Sequence, residues 1–187
     1  GKFSTFKNYK FFPINLGSFD KSLEIIKLLD DPLLQEQTFI FDKSNLYALD
    51  LNTKNEKKYN LVFNNHNAKL IITGDILNNK FNIKGNTSIP AKKLSRFDHN
   101  LLTGCVTFLN TEFNGGFILA ENMMCEDAIN IINSKGKINE IKIFNSSYDS
   151  LDIDYSNISI EKMLINKAGN DCADFSFGNY KILESLV

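Results

Sequence analysis

The chain has 187 residues, 43% of them apolar and 23% charged, which suits one domain with a sizeable core and excludes a disordered or membrane-embedded polypeptide. Its net charge is -1 with lysines and acids interspersed, so the concentrated basic surface that nucleic-acid phosphates require is absent. No run approaches the roughly 18 apolar residues of a membrane helix, and membrane insertion is not expected.

Residues 1–36 are read as an N-terminal segment. Within it DKSLEIIKLLDD (20–31) places Leu23, Ile26 and Leu29 on one helical face, with Asp20 as a cap and Pro32 just beyond the end. A short amphipathic helix capping one end of a β core is predicted there. From residue 37 to 86 the pattern changes to short apolar runs, TFIF, LYALDL, YNLVF, KLIITGDI and KFNI, separated by Asn, Lys, Asp and Gly clusters. These are strand signals, and 37–187 is read as one all-β unit. His66 and His99 stand alone in polar stretches without the partners a metal site needs.

The clearest pattern covers residues 103–187. CEDAINIINS (125–134), YDSLDIDYS (148–156) and NDCADFSFG (170–178) superpose at a spacing of 22, which puts Asp127, Asp149 and Asp171 in one column. Asn130, Asp152 and Asp174 form a second column, followed by Ile131, Ile153 and Phe175. Ile138, Ile160 and Ile182 keep the same register, and a spacing of 23 matches Val106 to Ile129 and Ile118 to Ile141. A unit of this length, with strand-like segments and no helical period, predicts a parallel β-solenoid in which each coil adds a strand to every sheet. The last coil ends apolar at LESLV, an edge that suggests further coils or self-association.

SYDSLDIDYSNISIEKMLINKAGNDCADFSFGNYKI (147–182) resembles the right-handed, single-stranded parallel β-helix of the pectin-lyase-like superfamily. It is most similar to Asp-rich repeats of bacterial surface proteins, some linked to spore-coat CotH-type kinase domains. The resemblance implies an extracellular or cell-envelope location. It specifies fold rather than activity, because that superfamily holds lyases, hydrolases, epimerases, tailspikes and inert adhesins.

The two acidic columns have different chemistry. Asp127, Asp149 and Asp171 stand where strands begin, and an aspartate there accepts backbone amides of the turn. Asn130, Asp152 and Asp174 alternate with the Ile column and are expected to face outward, beside Asp154 and Ser176. Carboxylates stacked about 5 Å apart repel by roughly 1 to 3 kcal/mol. Screening, a raised pKa, a nearby Lys or a bound cation must offset this. Calcium suits an all-oxygen set, with Asp152, Asp154 and Asp174 as ligands. Pectate lyases, in the family resembled, hold calcium on such a face.

Asn130, Tyr155 and Ser176 are the candidate carbohydrate contacts, with Tyr155 and Phe177 sharing an aromatic column. If the chain is catalytic, Asp152 and Asp174 are the acid and base. NDCADFS is similar to the Asp-Asp-Cys motif of polygalacturonases, but Asn170 replaces the first Asp and the later His and Arg motifs are missing.

Cys105 and Cys172 share a column three coils apart, roughly 14 Å by strand spacing and beyond disulfide reach. Cys125 has no cysteine in register on a neighbouring coil, so all three are expected as small core residues. The expected function is a non-catalytic β-helical module of a bacterial envelope or secreted protein, binding polysaccharide or calcium on its acidic face. A carbohydrate-active lyase, hydrolase or epimerase, and a structural spacer within a longer solenoid, are the alternatives.

Overall fold

The computed structural model describes residues 25–51, 55–86 and 102–187. These form a parallel β-solenoid of seven coils, two strands to a coil. The coils pair β1 (Ile25–Leu28) with β2 (Glu36–Phe41), β3 (Leu46–Leu51) with β4 (Lys58–Phe63), and β5 (Lys69–Leu77) with β6 (Lys80–Gly85). They continue with β7 (Gly104–Asn114) and β8 (Phe117–Glu121), then β9 (Asp127–Ile132) and β10 (Lys135–Phe144). β11 (Asp149–Asp154) and β12 (Asn157–Asn166), then β13 (Ala173–Ser176) and β14 (Asn179–Leu186), complete the stack. The odd-numbered strands pair with one another along one wall and the even-numbered strands along another, the two joining where the end of β7 (Glu112–Asn114) pairs with the start of β10 (Lys135–Lys137), and every ladder is parallel.

Alternation in the sequence produces this arrangement. In β4 the residues Tyr59, Leu61 and Phe63 are buried, whereas Lys58, Asn60 and Val62 are only half-buried, the signature of a strand with one face inward. Inward residues then stack from coil to coil. Leu49, Ile72, Phe108, Ile131 and Ile153 follow one another in register and are fully buried, and Phe175 ends the column half-covered. Leu61, Ile83, Ala120, Ile143 and Ile165 form the matching column on the opposite wall. The columns read from the sequence recur as ladders: Asn130 pairs with Asp152 and Asp152 with Asp174, and Ile138 pairs with Ile160 and Ile160 with Ile182.

The corners are left-handed. Asn110, Asn133, Tyr155 and Phe177 occupy the same corner of four successive coils, with φ of 53°, 47°, 50° and 51°. Asn suits this conformation, and Asn133 donates its side-chain amide to Asn110 of the coil before at 2.6 Å. Just after this corner a buried hydroxyl joins neighbouring coils: Thr111 N–H donates to Ser134 Oγ and Ser134 N–H to Ser156 Oγ, both at 3.0 Å. The last coil has Gly178 at this position, and the Tyr180 hydroxyl takes over, accepting from Ser156 N–H at 3.4 Å.

Two expectations need correction. The helix predicted over residues 20–31 is not found in its described part, since Ile25–Leu28 form β1 against Leu46–Leu49; residues 20–24 lie outside the described residues. β-Branched Ile25 and Ile26 favour the strand, and Leu29, which the helix was to bury, is 83% exposed. The chain turns at Asp31 and Pro32, where Asp31 Oδ1 accepts the Leu33 amide at 2.9 Å. Second, Cys105 and Cys125 form a disulfide with Cα atoms 5.4 Å apart, leaving Cys172 as the free thiol among the described residues. The column comparison missed it because Gly104 pairs with Asp127: in register Cys105 faces Ala128, and Cys125 reaches it only where the chain turns ahead of β9.

Candidate functional site

The acidic face lies on the wall built by β9, β11 and β13. Side chains alternate along β11, so Leu151 and Ile153 enter the core while Asp152 and Asp154 lie outward and half-buried. The parallel register sets Asn130 and Asp174 on either side of Asp152, and Ile132 and Ser176 on either side of Asp154. Four of the predicted site residues, Asp152, Asp154, Asp174 and Ser176, are thus brought together as neighbours on two strands.

Asn130 departs from its expected outward position. It is only 2% exposed, covered by the chain around Gly104, whose Cα has Asn130 Cβ packed directly against it. Its amide nitrogen donates to Asp152 Oδ2 at 3.0 Å, Asp127 Oδ2 at 3.3 Å and Thr103 Oγ1 at 3.4 Å. Asp127 is also 2% exposed. Its carboxylate belongs with those of Glu126 and Asp149, whose oxygens come within 4.8 Å of one another. Asp149 itself accepts the Asp171 backbone amide at 2.9 Å and the Asn170 side chain at 2.8 Å, the behaviour expected of a turn aspartate.

Crowding of acids under partial burial raises their proton affinity. Burial, then the charges of Asp127, Asp154 and Asp174, push the Asp152 carboxyl up to about 7. Asp127 is also raised, chiefly by burial, although hydrogen bonds from Thr103 and Asn130 pull the other way. Asp154 rises through burial and the charges of Asp174 and Asp127. Proton uptake by Asp152 toward neutral pH relieves part of this crowding.

At the rim of the face Tyr155 and Phe177 stack with ring centroids 5.0 Å apart and planes 9° from parallel. They are 55% and 76% exposed, so the stack is open to solvent. The sequence identified the column but not its cost: both residues adopt the left-handed corner that earlier coils fill with Asn. A bulky aromatic there costs about 1 to 2 kcal/mol, and an outlier of this kind motivates a search for function. No family model matches the chain, and neither a curated protein nor a solved structure is significantly similar to it.

Proposed function

We propose that this chain is a non-catalytic module of an envelope or secreted protein, a right-handed β-helix of the pectin-lyase-like kind akin to Asp-rich bacterial surface repeats, which binds polysaccharide along its acidic face. The observation that carries the reading is the Tyr155–Phe177 pair, two exposed stacked rings kept in a strained corner beside Asp154 and Ser176. Sugars stack on such rings through their apolar C–H faces, and carboxylates accept their hydroxyls. Calcium offsets the charge of the acids, and Asp152, Asp154 and Asp174 are its candidate ligands. The Cys105–Cys125 disulfide supports an oxidising compartment.

The test is titration of soluble polysaccharides, acidic and neutral, into the protein by calorimetry in calcium-containing buffer. Reducing ends and unsaturated products are assayed in parallel. Binding without product formation is expected, and Tyr155→Asn with Phe177→Asn together should abolish it. Product formation that stops in Asp152→Asn would replace the reading with a carbohydrate-active enzyme.

A further inference from the structure

Two opposite charges are sealed between the first two coils. Lys57, directly ahead of β4, has no exposed side-chain surface, and Asp30, just past β1, exposes 4% of its side chain. The Lys57 ammonium donates to Asp30 Oδ1 at 2.8 Å and to the Asp31 carbonyl at 2.6 Å, and the Tyr59 hydroxyl donates to the same Oδ1 at 3.0 Å. Asp30 Oδ2, in contrast, is buried with no donor. Taking two charges out of water carries a large penalty, and a pair whose carboxylate is left half satisfied offsets it poorly. The segment is nevertheless held in place. Gln37 accepts the Asp31 amide at 3.1 Å and donates to the Leu29 carbonyl at 3.2 Å, which fixes the backbone on both sides of Asp30.

We propose that Lys57 and Asp30 condense into an intramolecular isopeptide bond. A lysine amine kept out of water is a nucleophile toward carbonyl carbon, and fixed placement beside its target makes the encounter unimolecular. Lys57 Nζ bonds to Asp30 Cγ as the Cγ–Oδ2 bond breaks. Two of the three ammonium protons pass to Oδ2, which departs as water, and the third stays on the amide nitrogen. An ammonium and a carboxylate are thereby converted into a neutral amide and one water, with no oxidant or co-reactant. Asp30 Oδ1 remains as the amide oxygen. The Tyr59 hydroxyl already rests on it and stabilises the negative charge that gathers there in the tetrahedral intermediate. The oxygen that leaves is the one without a partner, and no buried charge remains. The bond joins the turn after β1 to the entry of β4 across a sequence separation of 27, tying the first coil covalently to the second.

The experiment is intact-mass spectrometry of the soluble full chain, denatured and with its disulfide reduced, followed by tryptic mapping. The parent chain is expected to be lighter than its sequence by one water, with residues 28–43 joined to 55–58 and uncut after Lys57. Lys57→Arg and Asp30→Ala should show full mass and no branched peptide. Should either fail to fold, Tyr59→Phe keeps the ring and loses only the hydroxyl. Followed by the same mass change after cell-free synthesis, its linking rate should fall by about a hundredfold, the scale of losing one oxyanion donor. Full mass in the parent overturns the proposal and leaves an ordinary buried ion pair. Water loss that persists in Lys57→Arg, water loss mapped to a succinimide within one peptide, or a parental rate in Tyr59→Phe overturns it as well.

Discussion

Asp152 shows at the scale of one residue how the fold alters a side chain. Its carboxyl titrates near 7 when folded against an ordinary value of 3.8. Because the folded value is the higher one, the native state binds the proton more tightly than the unfolded chain does. Stability contributed by this group is therefore greatest below about pH 4, declines as pH rises toward 7, and is level above that. With calcium chelated, Asp152→Asn should leave the melting temperature nearly unchanged near pH 4 and raise it near pH 8. Equal effects at both pH values would show that the carboxyl is not held in this state. Asp127 and Asp154 shift in the same direction, so some slope should survive the substitution.

The aromatic corner makes a second residue-scale prediction. Tyr155→Asn with Phe177→Asn relieves two left-handed aromatics and extends the Asn110–Asn133 pattern along the corner. Relief of about 1 kcal/mol per residue offsets a lost ring stack worth about 0.5 to 1.5 kcal/mol. The melting temperature should hold or rise while polysaccharide binding is lost. A large fall in stability would give the rings a structural role instead.

Among elements, the coil-to-coil hydroxyl ladder is the feature most open to measurement. Ser156 is fully buried and its Oγ accepts the Ser134 amide of the preceding coil. Ser156→Ala leaves that amide without a partner and should cost about 1 to 3 kcal/mol in chemical denaturation. No loss of stability would show that another acceptor serves it. The disulfide acts at the same scale, closing a sequence separation of 20 between Cys105 and Cys125. Unfolded, unreduced protein should titrate one thiol, Cys172, and reduction should reveal all three and lower stability by about 3 kcal/mol. Three thiols before reduction would refute the bridge.

These elements also show what was legible in the sequence. The register of β9, β11 and β13 was readable because the coil repeats with a fixed spacing of 22 and one wall is buried, so a slip by one residue would expose Ile131, Ile153 and Phe175. The strands from Glu36 to Gly85 were readable as apolar runs. Other features depend on contacts outside any column. The Cys105–Cys125 bridge joins positions three apart in register across a turn. Asn130 is buried by the chain around Thr103 and Gly104, which the period-two pattern of its own strand does not encode. Ile25–Leu28 satisfied a helical spacing as well as a strand, and only the partner Leu46–Leu49 decides between them.

For the whole molecule, the solenoid turns a short sequence unit into a continuous surface. Repetition stacks Asn130, Asp152 and Asp174 across coils, and the same repetition aligns Tyr155 with Phe177. Core and exposed face therefore arise from one pattern: inward columns supply the core, and outward columns supply the acidic wall and its aromatic rim. The measurement that tests this most directly is polysaccharide titration of the intact chain beside the Tyr155→Asn, Phe177→Asn double variant in matched calcium buffer. Saturable binding without chain cleavage, lost in a double variant that melts no lower than the parent, is the expected result. Equal binding by both proteins, or no binding by either, would contradict the assignment of this face as a polysaccharide-binding surface.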